Sequence, residues 1–546
     1  MKRKAVAAVL TAVMVASMFT GCGSDNGSSS AKSASAASAA SAANDTVDED
    51  GKVNGIMYQE GLPLVDEGAY TFSIFCDDSS ESGEFIMLDE FKKQTNVDVD
   101  LKIYPYETAT ERLNLDLNSG DYADVIGGWT LSDNAILTYG VNQGVFIPLE
   151  DYFEKYCPNI SAILDLPGVR EKMTAPDGHI YTIPYVCTDT TVGYSPYINT
   201  KWLENVGMSM PTTTDEFEAV LKAFKEQDAN GNGDASDEIP FSTDPNNKHI
   251  EAMAGYFGLP MNKLGIAIQN EKVVYGGVSD TYREFLSWFH KLYAEGLVDV
   301  ELYTQDSSTW EGKGNQDLYG VSIAYGSGEF TGIPAAEERG DFDSMPVLNT
   351  DKDGIWLRDT EGFSVYRTQA VITNKAEHPE IICRWFDNAF ALENGIGCNR
   401  GPVGVIVNKE DDGYHAIDTT TLSEEDQEKY SWGNLWPQSL PKYLPVDFEF
   451  VEEHPMYDEK KATEEAYEAN LTKEIIPSYW IDLDKIDTFS DTNTAIKDFF
   501  EQQQAQFVCG ELDIDNDADW QAYVDGMYSL GLEDWVATQG IEEIAK

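Results

Sequence analysis

From Tyr70 to Trp129 the apolar positions change period along the chain. Tyr70 to Cys76 is a strand-like run, Phe85, Leu88 and Phe91 fall at helical spacing, and apolar residues alternate again from Val97 to Tyr104. Leu113 and Leu117 lie one turn apart on a second helix that Gly120 ends as a C′ residue, and Asp124 to Trp129 reads as a third strand. A βαβαβ succession predicts an α/β fold whose mainly parallel sheet is flanked by helices, with ligands beyond the carboxyl ends of the strands, where Trp129 lies. Further on, Thr213-Thr214-Asp215-Glu216 makes a capping box before Phe217, Val220, Leu221 and Phe224. Phe285, Trp288, Phe289 and Leu292 repeat the spacing before Gly296, and Ile382, Trp385 and Phe386 do so after Pro379, so these tryptophans are core positions. Tyr319 to Tyr325 and Gly362 to Thr373 read as strands, and the acidic C-terminal third as mostly helical.

The N-terminus reads as an address. Lys2, Arg3 and Lys4 precede an apolar stretch from Ala5 to Met18, followed by Phe19-Thr20-Gly21-Cys22. This resembles a bacterial lipoprotein signal, in which Cys22 is lipidated and residues 1–21 are removed. Residues 22–61, led by a Ser/Ala/Gly-rich stretch, then form a tether with a reach of roughly 30 Å, and folding begins at Leu62. No later run is long and apolar enough to span a bilayer. The expected location is outside the cell membrane, held by lipid alone.

A chain of 546 residues, 42% hydrophobic, is long enough for two lobes with substantial cores. Charge narrows the partners: 37 basic against 96 acidic residues give −59, which repels nucleic acid and disfavours polyanionic ligands. Cys76, Cys157, Cys187, Cys383, Cys398 and Cys509 contain no C-x-x-C pair and read as small buried hydrophobes rather than a disulfide framework.

One loop carries explicit metal chemistry. Asp228, Asn230 and Asn232 place oxygens at positions 1, 3 and 5 with Gly233 at 6, as in an EF-hand calcium loop, and Asp234, Asp237 and Glu238 supply further oxygens. Position 12 is Ile239 and the acid falls at 11, so the motif is a shorter relative of that loop, and the calcium it implies is structural. An Asn/Gly/Asp surface turn is the alternative.

Several phrases recur in a fixed order: Asn118-Ser119-Gly120-Asp121, Gly144 to Tyr152, Pro176-Asp177-Gly178-His179-Ile180-Tyr181-Thr182-Ile183-Pro184, Tyr197 to Leu203, and the 228–238 loop running into Asp237-Glu238-Ile239-Pro240. Together they resemble the extracellular solute-binding proteins of the maltose-binding-like class, in their oligosaccharide- and alginate-binding lipoprotein branch. The resemblance implies a two-lobe periplasmic-binding-protein-like fold of class II. Lobe 1 would comprise residues 62–187 and 360–400, and lobe 2 residues 188–359 and 401–546. It also implies a non-enzymatic, monomeric receptor that delivers an oligosaccharide to the permease subunits of an ABC-type importer.

Sugars present apolar CH faces and hydroxyl rings, so such a receptor needs aromatic platforms and polar acceptors. The cleft residues expected on this basis are Trp129 and Tyr325 at strand ends, Trp310 and Trp356 in polar, Gly-containing surroundings, and Arg400 in a glycine-rich loop. Trp432 and Trp436 are further candidates, balanced against core roles. Two other classes stay open: a secreted glycosidase, which needs two carboxylates across the scissile bond, and a surface adhesin with no transport role. No H-E-x-x-H, G-x-S-x-G or P-loop motif occurs, and His179, His290 and His415 have no metal-ligand spacing.

Overall fold

The computed structural model describes residues 45–78, 84–245, 249–332, 341–446, 448–451, 455–541 and 543–545. Cys22, the signal and most of the expected tether lie outside the described residues. The packed chain begins before Leu62. Lys52–Val53 and Met57–Tyr58 pair as a short hairpin, Val53 and Met57 are buried, and the Asp45 carboxylate accepts from the Tyr156 hydroxyl at 2.8 Å. The tether boundary expected at residue 61 is therefore too late, because two apolar side chains upstream of it fill the first lobe.

That lobe is built on four strands in the order Ala370–Ile372, Val125–Gly127, Tyr70–Asp77, Val97–Tyr104. The last three are mutually parallel, as the alternation of strand and helix predicts, and Ala370–Ile372 joins antiparallel from far along the chain. Helix Tyr106–Ser119 ends where Gly120 turns left-handed with φ 76° and returns its N–H to Asp116 and Leu117. Trp385 organises the core: Phe72 and Phe91 meet it edge-on at 5.3 and 5.6 Å, and Trp436 stacks on it at 5.7 Å. Trp436 and Leu440 thus belong to lobe 1, and the Leu435 carbonyl caps Met87 N–H at 3.0 Å. The expectation that everything after residue 400 joins lobe 2 is corrected here. The large apolar residues of this segment fill the space between helices Ile86–Thr95 and Pro379–Ala389, a vacancy no local pattern announces.

Lobe 2 has the strand order Phe342–Ser344, Ser195–Asn199, Tyr319–Ala324, Ile239–Thr243. All six residues of Tyr319–Ala324 are buried, as a central strand requires. Helix Thr214–Glu226 buries Phe217, Val220, Leu221 and Phe224 as predicted. Its cap differs slightly from the expected box: Thr213 Oγ1 accepts Glu216 N–H at 3.2 Å, but the Glu216 carboxylate reaches back to Thr212. Helix Ile486–Cys509 packs on helix Asp280–Ala294, with Phe500 stacked on Tyr282 at 5.6 Å. The C-terminal third is helical as expected, apart from the hairpin Val407–Glu410 with Gly413–Ala416 and the strand Leu471–Ile475.

The run Gly362 to Thr373 is two strands rather than one. Phe363–Tyr366 pairs antiparallel with Tyr185–Thr188 between the lobes, and Ala370–Ile372 enters the lobe-1 sheet. Between them Arg367 turns aside to hold both oxygens of Asp133 and the carbonyls of Ser478 and Tyr479, while the Trp480 ring covers its guanidinium at 4.2 Å.

Trp356 and Trp310 are core residues, which corrects their assignment to the cleft. Trp356 is 1% exposed and packed between Tyr256 and Tyr467; Trp310 is buried against Phe330 and donates to Ser322 Oγ at 3.2 Å. Their polar sequence neighbours point to water while the indoles point inward. Trp356→Ala is expected to cost about 3–5 kcal/mol of stability, measured by urea unfolding, whereas Trp356→Phe should retain ligand binding.

Candidate functional site

The carboxyl ends of the lobe-1 strands carry Asp77, Asp78, Tyr106 and Trp129. Asp77 is buried, and its carboxylate accepts Trp129 N–H at 3.0 Å and Thr130 N–H at 2.6 Å, which fixes the turn that presents the indole. Gly128 between them has φ 133°, and a Cβ there would fall 2.3 Å from Asp77 Oδ1, so only glycine allows this approach. Trp129 is 46% exposed, a large aromatic ring held on a rigid base yet open to water.

Beneath it lie the two connecting strands. Tyr366 meets the Trp129 ring edge-on at 5.4 Å, and Tyr185, its cross-strand partner, lies 5.5 Å from Tyr366 and 6.5 Å from Trp129. Asp189, just past Tyr185–Thr188, joins this floor to lobe 2. Its Oδ2 accepts from Ser364 Oγ at 2.5 Å and the Tyr366 hydroxyl at 3.3 Å, and its Oδ1 accepts Thr190 N–H at 2.8 Å and the Tyr325 hydroxyl at 3.4 Å.

Tyr325 stands at the end of Tyr319–Ala324, as expected from sequence. Tyr194 lies edge-on to it at 6.0 Å and stacks on His249 at 4.0 Å and 15°. His249 takes φ 49°, and burial beside the Lys263 ammonium pushes its imidazole down to about 3, so the ring is neutral. Lys460 lies 4.0 Å over the Tyr325 ring and donates to the carbonyls of Gly193 and Tyr325; burial lowers it to about 8. Glu329 accepts Tyr325 N–H at 2.8 Å and Asp359 accepts Gly193 N–H at 2.7 Å. Both carboxylates reach water, yet the surrounding protein removes enough hydration to push them up to about 7 and about 6. Access to water together with partial desolvation is what the wall of a concavity imposes.

Arg400 ends helix Leu392–Arg400 half-buried, with its guanidinium 5.7 Å over Phe450 and Lys442 nearby. Lys442 is buried, donates to Gln438 Oε1 at 2.6 Å and faces the exposed Trp432 ring at 5.1 Å. The sequence reading missed Asp189, Tyr185, Tyr366, His249, Lys442 and Lys460. Tyr185 and Asp189 follow the Tyr181-Thr182-Ile183-Pro184 phrase, a usable signal; a lysine ahead of its tertiary neighbours gives none.

The 228–238 loop turns through Gly231 and Gly233, at φ 76° and 95°. Asp228 Oδ2 accepts Gly233 N–H at 3.0 Å, Asn232 Oδ1 accepts Asp234 N–H at 2.7 Å, and Glu238 Oε1 accepts Ala229 N–H at 2.9 Å. The Asn230 and Asn232 amides donate to the two oxygens of Asp237. Asp228 Oδ1 and Glu238 Oε2 are buried with no hydrogen-bond partner, so the donor set fits a hard cation. Elsewhere, His415 meets Glu410 and Asp412 with ligand atoms within 4.8 Å on the Val407–Ala416 hairpin, a grouping its sequence spacing did not suggest.

Residues 78–395 match the family model of the bacterial extracellular solute-binding proteins. The chain belongs to this family. A relative of this solute-binding protein, the fructooligosaccharide ABC transporter substrate-binding protein FusA of Streptococcus pneumoniae, is 31% identical over 411 residues, 73% of this chain and 70% of that one. FusA in complex with kestose superposes with a TM-score of 0.75 at 26% identity, over 86% of this chain and 98% of that one; its EF-hand mutant with fructo-nystose gives 0.74 at the same identity and coverage. Lipoprotein LipO of Bacillus subtilis is 28% identical over 280 residues, 50% of this chain and 52% of that one. The two-lobe α/β architecture expected from sequence is the fold this solute-binding protein has.

Glu329 gives a pH test. A carboxyl raised by folding is protonated in the native state and ionised in the unfolded chain between 4.5 and about 7, so its ionisation costs native stability as pH rises through that window. Glu329→Gln is expected to raise the thermal midpoint near pH 8 and leave it unchanged near pH 4.

Proposed function

We propose that this solute-binding protein captures an oligosaccharide in the cleft between its lobes and delivers it to the permease subunits of an ABC-type importer. The observation that carries the reading is the indole of Trp129, exposed on a backbone fixed by Asp77 and adjoining the Tyr185 and Tyr366 rings. A rigid aromatic face stacks on the apolar face of a sugar, and Asp189 and the tyrosine hydroxyls supply polar partners for its hydroxyls. Closure of the lobes is favoured only by contacts the open state lacks, so ligand shifts a population toward the closed form that the importer reads. FusA, described as a fructooligosaccharide-binding component, supports this ligand class.

The receptor acts as a monomer without catalysis, held outside the membrane by lipid on Cys22. The basic and apolar N-terminal segments support that anchor, as does likeness to a lipoprotein, and no helix among the described residues is long and apolar enough to cross a membrane. Calcium held by Asp228, Asn230, Asn232, Asp234, Asp237 and Glu238 would tie the end of helix Thr214–Glu226 to the start of Ile239–Thr243, a structural role.

Thermal unfolding of the full-length protein with a panel of oligosaccharides, each sample checked for intact sugar, tests the receptor. A raised midpoint with uncleaved sugar is expected; cleaved sugar would make the chain a glycosidase. Trp129→Ala should weaken binding by roughly tenfold or more, read by calorimetry, while leaving the unliganded midpoint unchanged. For the metal, calcium at about a hundredfold excess over its dissociation constant adds about 2.7 kcal/mol to stability. Adding it back to chelated protein should raise the midpoint, and Asp228→Ala should abolish the rise; an identical midpoint with and without calcium would sink the assignment.

A further inference from the structure

We propose that the cleft is selective for neutral oligosaccharides over chains bearing uronate or other anionic groups, an inference that rests on the receptor reading above. It follows from how the charges in the walls are already committed. Lys460 is 2% exposed, tied to two backbone carbonyls and covered by the Tyr325 ring. Lys442 is 3% exposed and donates to Gln438. Arg367 is spent on Asp133 and the Ser478 and Tyr479 carbonyls, under the Trp480 ring. Each of these cations is thus engaged by the protein.

The wall that water reaches is acidic. Glu329 and Asp359 are exposed beside Tyr325 and Gly193, and Asp189 lies between the tyrosines of floor and wall. Asp244 and Glu311 act on Glu329 through space, and Asp189 on Asp359. A sugar hydroxyl donates to such carboxylates without Coulombic cost. A uronate brought to the same wall meets like charge in a partly desolvated site, and among the described residues Lys460, Lys442 and Arg367 are already held by the protein. Burial is the first cause of the raised Glu329 and Asp359 carboxyls, and repulsion from Asp244 and Asp189 adds to it. Neutral His249 adds no positive charge to the wall.

Titration calorimetry on the full-length protein decides the matter, with kestose, a neutral glucan trisaccharide, trigalacturonate and trimannuronate as probes at one ionic strength near pH 7.5. A neutral trisaccharide should bind at least roughly 100-fold more tightly than either uronate trimer. In Glu329→Gln/Asp359→Asn the gap should narrow at least tenfold, through tighter uronate binding. A uronate trimer that binds as well as the neutral sugars overturns the selectivity and leaves the receptor reading intact. A gap unchanged in the double variant overturns its assignment to these carboxylates. Folded protein that binds no sugar of either kind overturns the receptor reading, and the selectivity falls with it.

Discussion

The hydrogen-bonded pair of strands Tyr185–Thr188 and Phe363–Tyr366 is the constraint on which the rest of this molecule depends. One strand leaves lobe 1 and the other returns to it, so each lobe is completed by chain that has visited the other. Because the pair is only four residues long, it sets Tyr185 and Tyr366 side by side beneath Trp129 and delivers Asp189 to the mouth of lobe 2. A hinge made of short strands bends more readily than the two cores it joins, which are packed around Trp385 in one lobe and Trp356 in the other. Floor, hinge and ligand platform are therefore one structure, and motion in the hinge is felt directly at the rings a sugar would touch.

The surplus of negative charge is organised rather than merely tolerated. Lysines buried near the cleft are lowered by desolvation and held on carbonyl or amide oxygens, while carboxylates remain where water reaches them. A buried ammonium fixed to backbone carbonyls works as a cross-link: Lys460 holds Gly193, just past the crossing, against Tyr325 at the end of a central strand. It positions the platform without presenting charge to a ligand. The 228–238 loop applies the opposite logic, with carboxylate oxygens left without protein partners where a divalent cation would take them.

The periodic elements were legible in the chain because a helix or a central strand is specified by its own neighbours. Val97–Tyr104 and the buried face Phe217, Val220, Leu221 and Phe224 follow from spacing alone, and Trp129 from its place at a strand end. The ordered phrases from Asn118 to Pro240 carried the family. Where reading failed, the missing quantity was a long-range neighbour. Trp310 and Trp356 sit among polar residues in sequence and apolar ones in space; Trp436 crosses to a core assembled from residues some 350 positions earlier, whereas Trp432, four residues before it, remains in water.

What the sequence determined by itself was local and compositional: the α/β succession, the oxygen-rich loop and the net charge of −59. The tertiary structure alone decided which aromatics are buried and which reach water, to which lobe Trp436 and Leu440 belong, and that Asp189 joins Tyr366 to Tyr325. The reason is physical. Periodicity fixes the face a side chain takes on its own element, but burial and the pairing of charges depend on distances between segments brought together only when both lobes close around their cores.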